Sequence, residues 1–129
     1  MKRILLTILF LSLLNSMCFS TYAQENPTMY RIAKIKVDAK QLALYQVALN
    51  EQMNAAIQLE PGVLSYTVVA DKKDESSITI FEVYDSLEAY QSHITTPHFK
   101  KYKETVKDMV LSLELIDTEL VARVQKADY

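Results

Sequence analysis

The segment from Glu60 to Tyr102 constrains this chain more than any other. It opens with Pro61-Gly62, and Gly62 is the only glycine of the sequence. A residue before proline resists helical angles and glycine permits a turn, so a preceding helix ends here. Two runs rich in β-branched residues come next, Val63 to Asp71 and Ser76 to Asp85, and the charged tip Lys72-Lys73-Asp74-Glu75 between them makes a hairpin. Ser86 then N-caps a short helix reaching about Ile94, with Glu88 and Ala89 behind it. Thr95-Thr96-Pro97 breaks that helix. A second helical piece runs from His98 to Leu111, with Phe99, Tyr102, Val106, Met109 and Val110 as its apolar stripe.

The flanks complete a pattern. Met29 to Val37 reads as a strand, with Met29, Ala33, Ile35 and Val37 on one parity, and Asp38 is placed to cap a helix after it. That helix is Ala39 to Leu59, whose stripe is Leu42, Tyr45, Leu49, Met53 and Ala56. Leu113 to Val124 is the last strand. The order βαββαβ belongs to the α+β, ferredoxin-like architecture, in which helices cover one face of a four-stranded antiparallel sheet. Both faces of the central strands are apolar: Ile78, Ile80, Glu82 and Tyr84 share one side, Thr79, Phe81 and Val83 the other. In the second strand Leu64, Tyr66 and Val68 share one side, Val63 and Val69 the other. The helices can cover one face only. A second copy packed sheet to sheet would cover the other, as a homodimeric α+β barrel. A domain of about 100 residues, whose own core is marginal, gains from such a partner.

The N-terminus has the form of an export signal. Lys2 and Arg3 precede an apolar run from Ile4 to Leu14, and Thr21-Tyr22-Ala23 has small residues at the two positions that matter for cleavage. Cleavage after Ala23 leaves residues 24–28 as a loose N-terminus, a domain over 29–124 and a tail over 125–129, in an exported, periplasmic or secreted protein. Two alternatives are a lipoprotein signal with Cys18 lipidated, which Met17 just before it disfavours, and a retained anchor, for which the run is short of the ~20 residues needed to span. Removing the signal removes Cys18, the sole cysteine, and with it any disulfide or thiolate ligand. It also leaves 12 of the 14 basic residues against 16 acidic ones, an acidic balance that argues against nucleic acid as a partner. No later segment has the length and apolarity of a membrane span.

Glu60-Pro61-Gly62, then Leu64 and Tyr66, then Phe81-Glu82-x-Tyr84, Ala89, His93 and His98-Phe99, taken in that order and spacing, resemble the antibiotic biosynthesis monooxygenase (ABM) family. The resemblance runs from about Met29 to Val124. It implies the dimeric α+β barrel, and an oxygenase that works without cofactor on quinols, phenols or anthrone-like aromatics. Tyr84 stands where the family usually has tryptophan, and the chain has no tryptophan at all. Haem-degrading relatives rely on an Asn, Trp and His set, so that activity is not expected here. The family also contains an isomerase of a phosphorylated signalling sugar and proteins without demonstrated activity.

The chemistry-bearing residues each carry two readings. His93 is the candidate base: a neutral imidazole can take the proton of a phenol, and the phenolate can pass an electron to O2 without metal or flavin. The bland reading has His93 and His98 tying the loop at Thr95 to Pro97. Glu82, mid-strand in apolar surroundings, either binds a substrate hydroxyl or pairs with Arg31 or Arg123. Tyr66, Tyr84, Phe99 and Tyr102 either line a flat aromatic pocket, with His98 beside it, or are plain core. Lys100, Lys101 and Lys103 read as a solvated face. No metal site is expected, since His93 and His98 are five apart across a proline, which is no ligand spacing on one helix. One glycine cannot build a phosphate loop, and no G-x-S-x-G elbow exists. Three functions remain: a monooxygenase, a non-catalytic barrel holding a small hydrophobic ligand or serving under stress, and a histidine-dependent isomerase. A mixed-polarity cavity containing His93 favours catalysis; one filled by Tyr84 and Phe99 favours a scaffold.

Overall fold

The structure, a computed structural model, describes residues 27–127. The segment expected to be an export signal, with Cys18, lies outside the described residues. The elements are β1 (Met29–Val37), a 3-10 turn (Ala39–Gln41), α1 (Leu42–Leu59), β2 (Val63–Asp71), β3 (Asp74–Tyr84), α2 (Leu87–His93), α3 (Pro97–Val106) and β4 (Val110–Thr118). The sheet order is β2-β3-β1-β4, all neighbours antiparallel, which is the ferredoxin-like arrangement. Among the described residues no helix is long and apolar enough to cross a membrane.

The core lies between one sheet face and α1 with α3. Ala33, Ile35 and Val37 of β1 and Ile78 and Ile80 of β3 meet Tyr45 and Leu49 of α1 and Val106 of α3. A second cluster, Ala56, Val63 and Tyr84, closes the end where α2 begins. The alternation expected of β1 and β3 holds. That of β2 does not, because its register shifts between Val63 and Ser65. The irregularity turns Val63 to the helix side with Tyr66 and Val68 and leaves Leu64 half exposed.

Three boundaries differ from the sequence reading. The hairpin pairs Asp71 with Asp74, so β3 starts two residues early and the tip is Lys72-Lys73 alone. The second helical piece ends at Val106, not Leu111, because β1 recruits the next residues: Val110 pairs with Val37, and Ser112 with Lys36. β4 ends at Thr118, opposite Tyr30, not at Val124. Beyond that point β1 has almost no residues left to pair, and Pro27 has no N–H to offer. The strand-like residues 120–124 therefore have no ladder, and Val121 and Val124 are each 97% exposed.

Caps fix the helices that matter for the site. Ser86 accepts from the Ala89 amide at 3.0 Å, as its sequence position predicts. Thr96 caps α3, with Pro97 as its first residue, and its Oγ1 also donates to the His93 carbonyl at 2.7 Å. The segment that breaks one helix thus ties it to the start of the next.

Candidate active site

A cavity of about 320 Å³ opens between the sheet and the helices. Such a volume lies at the lower end of the range for small-molecule sites. Its polar wall is His93, Gln52, Tyr66, Tyr84 and Glu82; Phe99, Tyr102, Ile80, Leu113 and Leu115 make it largely apolar, and Arg31 and Lys103 supply cations. Leu113 and Leu115 pair with Ile35 and Ala33 and so face the helix side, where no helix covers them.

His93 is the last residue of α2 and is only 2% exposed. Its Nδ1 lies 2.9 Å from Glu60 Oε1. An ionised carboxylate only accepts, so Nδ1 carries the proton and Nε2 presents its lone pair. That Nε2 lies 3.0 Å from the Gln52 amide nitrogen and 3.2 Å from Tyr66 Oη, at the cavity wall. Burial pulls His93 below the usual imidazole pKa, the Glu60 hydrogen bond and charge raise it, and His98 lowers it again. The ring is neutral at physiological pH. Tyr66 moves the other way, pushed up to about 12 by burial, so it stays a phenol. Of these two neighbours, His93 is the one whose unprotonated form is present at neutral pH.

The network continues along the sheet. Tyr66 Oη lies 3.3 Å from Tyr84 Oη, which donates to Glu82 Oε2 at 2.9 Å. Burial raises Glu82 above the usual carboxylate range, with Tyr84 and Arg31 opposing. Burial likewise raises Tyr84, Tyr45 and Tyr102. Tyr102 Oη lies 2.9 Å from Tyr45 Oη, and Tyr102 forms part of the wall between this cavity and a second one of about 230 Å³. Among the described residues no buried side-chain polar atom lacks a partner.

The structure gathers His93, Tyr66, Glu82, Tyr84, Phe99 and Tyr102 around one cavity, as the sequence suggested. It does not place His98 there. His98 lines the second cavity, while its neighbour Phe99 faces the first, and its Nε2 contacts the same Glu60 Oε1 as His93. The Thr96 hydroxyl ties the loop to the His93 carbonyl, and the two imidazoles hold the helices on either side of it to Glu60. Arg31 sits opposite Glu82 in the β1–β3 register, yet its Nε donates to Asp117 Oδ1 at 2.8 Å and its guanidinium lies 4.1 Å above the Tyr90 ring. The nearest strong partner of Glu82 is Tyr84 instead.

Sequence reasoning missed two residues of the site. Glu60 closes α1 and grips both histidines; its signal was its place in the same motif series as His93 and His98. Gln52, 5% exposed, was legible as the one polar residue three after Leu49 and four before Ala56, on the buried stripe of α1.

Known proteins share this frame. The sequence profile described as antibiotic biosynthesis monooxygenase matches residues 28–105. A Bacteroides thetaiotaomicron protein classed by name as an antibiotic biosynthesis monooxygenase has a crystal structure similar to this one. It shares 45% identity at a TM-score of 0.74, over 79% of this chain and 96% of that one. A Lactobacillus acidophilus protein classed by name as a monooxygenase is 29% identical at a TM-score of 0.68, over 72% of this chain and 44% of that one. An uncharacterized Synechocystis protein is 28% identical over 92 residues, 71% of this chain, and the match spans 60% of that relative's length. With its domain matched over 28–105 and a relative at 45% identity along nearly its whole length, this chain belongs to the antibiotic biosynthesis monooxygenase family.

Proposed function

We propose that the protein is a cofactor-independent monooxygenase of small aromatic substrates, of the quinol, phenol or anthrone type, with His93 as its base. The observation that carries this is the Glu60–His93 pair behind an aromatic cavity, with the imidazole neutral and its Nε2 at the wall. Glu60 orients the ring and stabilises the imidazolium that forms. His93 takes the phenolic proton of the bound substrate. The phenolate passes one electron to O2, and the resulting radical and superoxide join as a carbon–oxygen bond at a ring carbon bearing hydrogen. The peroxide takes up the proton. That carbon then loses its hydrogen as the O–O bond breaks, leaving a carbonyl and one water. One O2 is consumed, one oxygen atom enters the product and the other leaves as water. Tyr66, held as a phenol, and Tyr84, whose proton goes to Glu82, make the polar side of one wall, and Phe99 and Tyr102 present ring surfaces.

The test is oxygen uptake by the purified protein with a panel of quinols and anthrones, beside His93→Ala. Uptake without added metal or flavin is expected, reduced about 10²- to 10⁴-fold in the variant, the range for loss of a general base. No uptake above autoxidation by the wild type overturns the reading and leaves a ligand-binding barrel.

We assign the uncovered sheet face to a second copy of the chain. Ile32 pairs with both Phe81 and Ile116 on that face, and the Tyr30 ring stacks on Phe81 at 6.1 Å. The unladdered residues 119–124 offer that copy a further strand. Export by a cleaved signal remains our reading of the N-terminus, and the mass of the protein recovered from cells tests it.

A further inference from the structure

We infer that Glu60, His93 and His98 form a binding site for one divalent transition-metal ion of the zinc class. This goes beyond the oxygenase reading and does not depend on it. The ligands come from three elements, the C-terminal cap of α1, the end of α2 and the second residue of α3. The objection from sequence spacing applied to one helix. Here two helices converge, so five residues and a proline are what bring the imidazoles to one carboxylate.

The geometry fits three-ligand coordination. Glu60 Oε1 lies 2.9 Å from His93 Nδ1 and also contacts His98 Nε2, and one ligand atom from each of the three residues lies within 4.8 Å of the others. A tetrahedral ion with bonds of about 2.0–2.1 Å needs its donors about 3.3 Å apart, so side-chain adjustments well below one residue's reach suffice. The donors are sheltered: Glu60 is 13% exposed, His93 2% and His98 16% at the side chain. Two imidazole nitrogens and a carboxylate suit zinc, cobalt or nickel better than calcium or magnesium. Three protein ligands leave a coordination position open, and one of them, His98, lies on the wall of the second cavity.

The surroundings of His93 support this. A metal-ligating imidazole donates its other ring N–H to a polar partner. The side-chain amide of Gln52 lies 3.0 Å from His93 Nε2. Flipped about its last bond, the amide presents its carbonyl oxygen in place of its nitrogen. The same buried residue then serves both forms of His93, accepting from Nε2–H when the ion is bound and donating to Nε2 when it is not. The two states exclude each other. With the ion on Nδ1, Nε2 carries the proton, and His93 cannot act as a base.

The full chain, stripped with chelator, is titrated with Zn²⁺ by calorimetry and with Co²⁺ by its visible absorption. One ion per chain is expected for the wild type. Glu60→Gln and His98→Ala should each weaken binding at least tenfold, with circular dichroism unchanged. Absence of zinc binding by the wild type overturns the inference, and so does binding that survives in both folded variants. Should Glu60→Gln unfold, His98→Ala decides. No substrate enters the titration, so failure of the oxygenase reading and failure of this one are separate results. Where oxygen uptake is found, zinc should suppress it and chelator restore it.

Discussion

A methyl group at Gly62 would test the packing that sets His93 in place. A Cβ built there falls 2.5 Å from Ala89 Cβ and 3.5 Å from Ala89 Cα, where ordinary contact is 3.4–4 Å. Ala89 is on α2 and its methyl has no rotamer to escape into, so α2 must move by about 1 Å to restore contact distance. The glycine is needed for this close approach and not for its dihedral freedom, since no described glycine has positive φ. At an ordinary φ, Gly→Ala alone should stabilise by about 0.4–1 kcal/mol through the unfolded chain. Overpacking costs about 1–3 kcal/mol, and a contact this short against a methyl that cannot turn aside belongs at about 2–3, so the clash wins and Gly62→Ala should lose about 1–2.6 kcal/mol net. Urea unfolding measures this, and the double-mutant cycle with Ala89→Gly isolates the contact. Ala89→Gly alone costs about 1 kcal/mol of helix propensity. In the Gly62→Ala background it removes the clash, so the two changes should couple by at least about 1 kcal/mol, beyond the ~0.3–0.5 within which independent sites add. A variant as stable as wild type, or an additive cycle, would refute the reasoning.

Three other outcomes are expected. Because His93 in the folded state titrates below its ordinary value of about 6.5, the unfolded chain takes up this proton first as pH falls. The contribution is therefore complete above about pH 6.5 and is lost below it, so wild type should lose stability relative to His93→Gln by up to about 1.4 kcal/mol per pH unit, measured by urea unfolding with chelator present. Glu82, raised by burial and so of opposite sign, cancels in that difference. Tyr84→Phe removes the donor to Glu82 and should cost about 1–3 kcal/mol in the same assay; a neutral result would mean that water replaces the phenol. Phe81→Arg places a charge on the uncovered sheet face and should convert a dimer to a monomer in sedimentation, whereas an unchanged mass would remove that face from the interface.

Much of the molecule was legible in the sequence. The βαββαβ order comes from alternation and caps, and Ser86 behaves as its position predicts. Pro61-Gly62 ends α1 as expected, although Gly62 acts by yielding space to Ala89. Boundaries failed where two structures competed for the same residues. Val110 to Ser112 carry side chains that suit either the helix or the strand, and pairing with β1 decides. Residues 120–124 are mostly apolar and strand-like but have no ladder beside them. Leu64 was misassigned because alternation cannot reveal a shift in register.

The sequence by itself determined the fold class, the membership of the family and the identity of six of the residues around the main cavity, because these depend on periodicity and short motifs that are local in the chain. Tertiary structure decided that His98 leaves that cavity and that Glu60, 33 residues from His93 and 38 from His98, joins the two imidazoles. No local pattern encodes that meeting. It depends on how α1 ends, how closely Gly62 lets α2 approach and how Thr96 ties α2 to α3, and each of these is a packing distance that exists only once the sheet is built.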